Sequence, residues 1–157
     1  MLSTVSLQKI DAELAKYPAD QRRSAIMSAL RIAQDEKRVL TSELIEYVAH
    51  YVRIAPVAAL EVATFYNMYD LKPVGQYKLT VCTNLPCALR GGVDAADYLK
   101  KKLGVEFGQT TADGKFTLVE GECMGACGDA PVMLVNNHKM CSFMTPEAIE
   151  QKLAELD

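Results

Sequence analysis

The sequence lacks long apolar runs, and it also lacks the short motifs of several common functional classes. Nowhere do about 18 apolar residues follow one another, and charges from Lys9 to Lys16 occupy the region where a signal peptide would be apolar. The glycines never form a Gly-x-Gly-x-x-Gly turn or a Walker-type loop. We therefore expect a cytoplasmic chain that does not insert into the membrane and that contains neither of these two nucleotide-binding loops.

The charge pattern offers no surface for nucleic acid. The 157 residues carry a net charge of -3, and the only notable basic run is Lys100 to Lys102, which is typical of a solvated helix end. Half of the residues are hydrophobic and 24% are charged, which suits one or two small folded domains. We expect no nucleic-acid partner.

The cysteines lack the spacing of a thiol–disulfide enzyme. No two of the five cysteines are separated by two residues, and an odd number without a secretory signal argues against a disulfide framework. A Rieske centre would need two histidine ligands, but His50 and His138 lie outside the cysteine loops. Redox chemistry by thiol exchange is therefore the weaker interpretation.

The first part of the chain has a helical apolar pattern. We predict four helices: residues 7–17 capped by Ser6, a second that starts from Asp20 as cap, a third from Thr41 or Ser42 to Val52, and a fourth from Pro56 to Met68. The fourth should run through Val57, Leu60, Thr64 and Met68. The pattern ends at a linker, residues 70–76.

After the linker the pattern alternates between strands and helices. We predict strands at 77–82, 115–123, 131–137 and 139–144, with helices at 93–104 and 145–156. This βαβ–ββα order resembles the thioredoxin fold, although element order alone also admits other α/β folds. The expected fold class is α/β (α+β), with a helical domain at 1–72 followed by a thioredoxin-like domain at 73–157.

Two cysteine pairs follow the first two of these strands. Cys82 and Cys87 are separated by four residues, and Cys123 and Cys127 by three. In a parallel βαβ unit both pairs would meet at the carboxyl edge of the sheet. Four thiolates there suit a zinc ion or a binuclear iron–sulfur cluster, and the spacing alone does not decide between them. We expect Cys141 to be a packing residue.

Three segments resemble one known family: EVATFYNMYDLKPVG at 61–75, VCTNLPCALRGG at 81–92 and GECMGACGDAPV at 121–132. The chain resembles, over nearly its whole length, the NuoE-type [2Fe-2S] subunit of NADH:quinone oxidoreductase, respiratory complex I. The resemblance implies one [2Fe-2S] cluster per chain, bound by Cys82, Cys87, Cys123 and Cys127. No catalytic residue is implied.

The resemblance also implies a role and partners. The cluster would exchange single electrons with the flavin of a partner subunit that binds flavin and NADH, and other peripheral-arm subunits would complete a complex on the inner face of the membrane. Small subunits of NAD-linked hydrogenases and formate dehydrogenases share these motifs and stay as alternatives. A zinc-stapled interaction module is the alternative from a different class.

Overall fold

The computed structural model describes residues 1–156 and divides into two compact units, one ending at Pro73 and one beginning at Val74. This division lies one residue after the predicted boundary between residues 72 and 73. The first unit contains four helices: α1 (Thr4–Leu14), α2 (Ile26–Lys37), α3 (Ser42–Val52) and α4 (Pro56–Phe65). They enclose a single apolar core, in which Ile10, Leu30 and Val48 are fully buried.

The starts of the first two helices differ from the prediction. α1 begins at Thr4, because the Ser3 hydroxyl accepts a hydrogen bond from the Ser6 amide at 3.2 Å, so Ser6 lies inside the helix and is not its cap. Asp20 does not cap α2 either, since a 3-10 turn at Arg22–Ala25 precedes it. The Arg22 Nε atom donates to the Val52 carbonyl oxygen at 2.9 Å, a long-range contact that holds this turn.

The buried face of α4 is formed by its alanines. Val57 and Leu60 are 61% and 43% exposed, whereas Ala59 and Ala63 are buried. Nearly every position of this helix is apolar, so periodicity cannot select a face, and small residues allow the close approach of α4 to α3. The helix also ends at Phe65, three residues before the predicted end.

The second unit is built on a four-stranded sheet. Its strands are β1 (Tyr77–Cys82), β2 (Phe116–Gly121), β3 (Met133–Val135) and β4 (Lys139–Cys141), in the order β2-β1-β3-β4. β1 and β2 are parallel, and β3 is antiparallel to both β1 and β4. Three helices complete the unit: α5 (Leu85–Ala88), α6 (Gly92–Leu103) and α7 (Pro146–Glu155).

The predicted element order of this unit is observed, with shorter strands at the end and one additional helix, α5. α6 packs on β1, β2 and α7, and Leu79, Leu99 and Leu118 form the centre of that core. Cys141 is buried in the same core, as predicted for a packing residue. The β3–β4 turn spans residues 136–138 between the paired Val135 and Lys139, and Asn136 and Asn137 adopt left-handed φ values of 52° and 59°, which asparagine tolerates.

Candidate metal centre

The parallel pairing of β1 and β2 places both cysteine pairs at one edge of the sheet. Cys82, the last residue of β1, is paired in register with Gly121, the last residue of β2. Cys123 follows Gly121 by two residues, and Cys127 begins a short 3-10 turn. Residues that are 41 positions apart in the sequence therefore come together because both strands end at the same edge.

The second pair has the separation of two ligands on one metal ion. The Sγ atoms of Cys123 and Cys127 are 3.9 Å apart. Around a tetrahedral ion with metal–sulfur bonds of about 2.3 Å, as in zinc sites, two sulfurs lie about 3.8 Å apart. Both residues are exposed, and neither forms a disulfide.

The first pair is buried beneath the sheet edge. Burial raises the pKa of Cys87, and a hydrogen bond with the Cys82 thiol raises it further. The backbone of Val132 hydrogen-bonds to Cys87 and opposes this shift, while its carbonyl oxygen accepts a bond from the Cys82 amide at 3.1 Å. Val132 thus binds both members of the pair, a contact that the sequence did not reveal.

The two pairs also act on each other. The pKa of Cys127 is raised by its hydrogen bond with Cys123, by the charge of Cys123 and, across the site, by Cys82. The charge of Cys127 in turn raises the pKa of Cys87. Each thiolate therefore makes the next one harder to form, which is the electrostatic condition that a bound cation relieves.

The four thiols are arranged as two separate pairs. Among residues 1–156, no three side chains of His, Cys, Asp or Glu surround a single point as ligands of one ion. A mononuclear zinc site needs four ligands around one ion. A [2Fe-2S] cluster needs two ligands on each of two irons. The two thiol pairs therefore match the donor set of the binuclear cluster.

Two glycines allow the close approach of the backbone at this edge. A Cβ atom on Gly92, the first residue of α6, would lie 2.9 Å from the Cys82 carbonyl oxygen and 2.8 Å from that of Cys87. A Cβ on Gly121 would lie 2.5 Å from Thr80 Cγ2 and 2.9 Å from Met124 Cε. All of these contacts are shorter than real Cβ atoms make. The neighbours of Gly92 are backbone atoms that cannot yield, so this position requires glycine, whereas the neighbours of Gly121 are side chains, of which the end of Met124 is flexible.

The surroundings of the first pair are small and apolar. Cys82 and Cys87 pack with Ala130 and Val132, and the side chain of Met124 packs partly against them. The histidines lie elsewhere, as predicted: His50 is on α3, 3.5 Å from Glu46, and His138 is exposed at the β3–β4 turn. The first pair is therefore shielded from water, whereas the second pair is open to it.

Two side-chain hydrogen bonds join the cysteine loops. The Thr83 hydroxyl donates to a Glu120 carboxylate oxygen at 2.6 Å. The Asn84 amide donates to a Glu122 carboxylate oxygen at 3.4 Å. Sequence reasoning did not identify these pairs, because 37 and 38 residues separate the partners and only the strand register makes them neighbours.

Fold and site together define a class of protein: a sheet-and-helix domain that presents paired thiols at one sheet edge for a binuclear metal cluster. The model of the thioredoxin-like [2Fe-2S] ferredoxin family matches residues 10–157. The chain belongs to this family, and the cofactor that the family binds is a [2Fe-2S] cluster. The predicted fold class and cofactor are confirmed.

Curated relatives share this family over most of the chain. One subunit of the NADH-quinone oxidoreductase of Rickettsia bellii is 43% identical over 91% of this chain and 86% of the relative. Subunit 2 of the Thermus thermophilus NADH-quinone oxidoreductase is 40% identical over 94% of this chain and 81% of the relative. The mitochondrial NADH dehydrogenase [ubiquinone] flavoprotein 2 of Dictyostelium discoideum is 44% identical over 84% of this chain, which spans about half (54%) of that protein.

Among solved structures, the crystal structure of an NAD+-reducing [NiFe]-hydrogenase in the air-oxidized state matches with a TM-score of 0.71. The match covers 89% of this chain but 24% of the hydrogenase chain, at 18% identity. It demonstrates a shared fold. In the part of the chain that the structure describes, every helix is too short or too polar to cross a bilayer.

Proposed function

We propose that this chain is the electron-transfer subunit of an NADH:quinone oxidoreductase and that Cys82, Cys87, Cys123 and Cys127 bind its [2Fe-2S] cluster. The observation that carries the proposal is the meeting of two thiol pairs at the carboxyl edge of β1 and β2. The relatives named as subunits of NADH-quinone oxidoreductase support the choice of complex.

The cluster supplies one-electron chemistry when it is bound. The chain itself holds the ligands, excludes water from Cys82 and Cys87, and leaves Cys123 and Cys127 on the exposed side. No general base is required, since no proton has to be removed at this site. The chain is thus part of an oxidoreductase and has no activity alone.

A separate flavin-containing subunit is the proposed partner. A hydride from NADH carries two electrons, whereas a binuclear cluster accepts one, so a flavin must stand between them. We assign that flavin and the NADH site to a partner subunit of the same complex. We further propose that residues 1–72 and 73–157 are separate domains, and that the complex holds the chain at the inner face of the membrane.

A hydrogenase or formate dehydrogenase complex is the alternative setting. The fold that this chain shares with the hydrogenase is consistent with that setting. The 40–44% identity to subunits of NADH-quinone oxidoreductases favours complex I. Identification of the large subunits that copurify with the chain distinguishes the two.

Anaerobic purification and reduction test the proposed function. We expect two irons and two acid-labile sulfides per chain, with visible absorption, and no bleaching when NADH alone is added. Bleaching should appear once the flavin-containing subunit is present. Stoichiometric zinc without visible absorption would refute the cofactor, and bleaching by NADH without flavin would refute the division of roles.

A further inference from the structure

The hydrogen bonds between the cysteine loops also hold two carboxylates beside the site. Glu120 is the last residue but one of β2, and Glu122 immediately precedes Cys123. Both side chains are exposed and would otherwise extend into solvent. Thr83 and Asn84, which directly follow Cys82, hold them against the first cysteine loop instead.

The charged residues closest to the four cysteines in the sequence are predominantly negative. Within three positions of any of the four cysteines, the charged residues are Glu120, Glu122, Asp129 and Arg90. Asp129 accepts a hydrogen bond from the Ser142 hydroxyl at 3.0 Å and is exposed. Three carboxylates thus flank the paired thiols, against one guanidinium.

We propose that Glu120 and Glu122, held in place by Thr83 and Asn84, lower the reduction potential of the cluster. This inference rests on the proposed function. Reduction adds one electron, and hence one negative charge, without breaking a bond at the protein. Fixed negative charges nearby disfavour the added charge, and net charge is one of the properties that set the potential of such clusters.

Glu120 has the larger effect of the two. Its hydrogen bond from Thr83 is short, at 2.6 Å, and charge-assisted, so the carboxylate is well fixed. The contact of Glu122 with Asn84 is longer, at 3.4 Å, and therefore weaker. Because both carboxylates are exposed, solvent and salt limit the effect of each.

The test is a redox titration of the full chain with its cluster, followed by visible absorption and electron paramagnetic resonance. Glu120→Gln and Glu122→Gln remove the charge and keep an oxygen that can accept the same hydrogen bond. Glu106→Gln is the matched control. Glu106 is an exposed carboxylate that pairs with Lys100, and it follows the carboxyl end of α6, whereas Gly92 at the other end of this helix contacts the cysteine loop. Thr83→Val keeps both carboxylates and releases Glu120.

We expect the double variant Glu120→Gln with Glu122→Gln to raise the reduction potential of the cluster. At a fixed applied potential, the ratio of reduced to oxidised cluster should increase about three- to tenfold, where tenfold corresponds to about 59 mV for one electron. Thr83→Val should shift it in the same direction by less, and Glu106→Gln should leave it unchanged. The difference between the double variant and the unmodified chain should shrink at about 1 M salt, where screening is strong.

An intact cluster with an unchanged potential in the double variant would overturn the inference, as would an equal shift in Glu106→Gln. If Glu120→Gln fails to assemble a cluster, the reduction potential of the single Glu122→Gln variant tests the inference, and an unchanged potential there would overturn it. These outcomes differ from a failure of the proposed function, in which the unmodified chain would contain no iron or would not be reduced through a flavin.

Discussion

Replacement of Gly92 by alanine should destabilise the chain and disturb the first cysteine loop. The new Cβ atom would lie 2.8 to 2.9 Å from the carbonyl oxygens of Cys82 and Cys87, where ordinary carbon–oxygen contacts measure about 3.3 Å or more. The helix or the loop must therefore move by about half an ångström. Both oxygens belong to the backbone, so no flexible side chain can yield instead.

The cost can be estimated from this contact. Overpacking of a closely packed site costs about 1 to 3 kcal/mol. The reduced freedom of alanine in the unfolded chain offsets about 0.4 to 1 kcal/mol of that. The midpoints of these two ranges give a net loss of about 1.3 kcal/mol, which corresponds to a decrease in Tm of about 3 to 5 °C for a chain of this size.

Denaturant titration would measure the free energy of unfolding, and iron and sulfide analysis would measure the bound cluster. The matched control is Gly128→Ala, which adds the same methyl group beside Cys127 in open space. We expect the control to stay within about 0.5 kcal/mol of the unmodified chain. Equal stability and equal cluster content in Gly92→Ala, or an equal loss in the control, would refute the argument.

Three further outcomes follow from the structure. Cys123→Ala should abolish the iron and sulfide content, because one iron loses a thiolate, whereas Cys141→Ala should retain the visible spectrum; bleaching by Cys141→Ala would show a wrong ligand assignment. Hydrogen bonds from Lys37, Ser6 and Ser3 lower the pKa of Glu36 to about 2. The ionised Glu36 carboxylate should therefore stabilise the folded chain above pH 4.5, and this stabilisation should be lost as the pH falls toward 2. Thermal unfolding followed by circular dichroism should show that this loss is smaller in Glu36→Gln, and an identical pH dependence would contradict the role. A chain that lacks residues 1–72 should still assemble the cluster but bind the flavin-containing subunit less tightly; loss of the cluster would mean that the two units do not fold separately.

Much of the second unit was predictable because its signals are local. The alternation in β1, the glycine that ends α6, and the Thr145 cap followed by Pro146 are each encoded within a few residues. The topology of a parallel βαβ unit then places the strand ends at one edge. For this reason both cysteine pairs, the fold class and the family could be recognised before the structure was known.

The errors occurred where distant contacts override local ones. α1 is capped by Ser3, whose amide donates a hydrogen bond to the Glu36 carboxylate at 2.9 Å, a contact across 33 residues. The buried face of α4 could not be predicted, because an almost uniformly apolar helix contains no periodic signal. Its orientation is decided by which residues are small enough to pack against α3.

The sequence by itself therefore determined most of the elements, the candidate ligands and the family, because these depend on short-range patterns and on motif spacing. Only the tertiary structure decided which carboxylates lie beside the site, why Gly92 cannot be replaced, and how Val132 contacts the first cysteine pair. Each of these depends on atoms that the register of β1, β2 and β3 brings together from positions tens of residues apart. Local propensity cannot specify such contacts, since it acts over one or two turns of the chain.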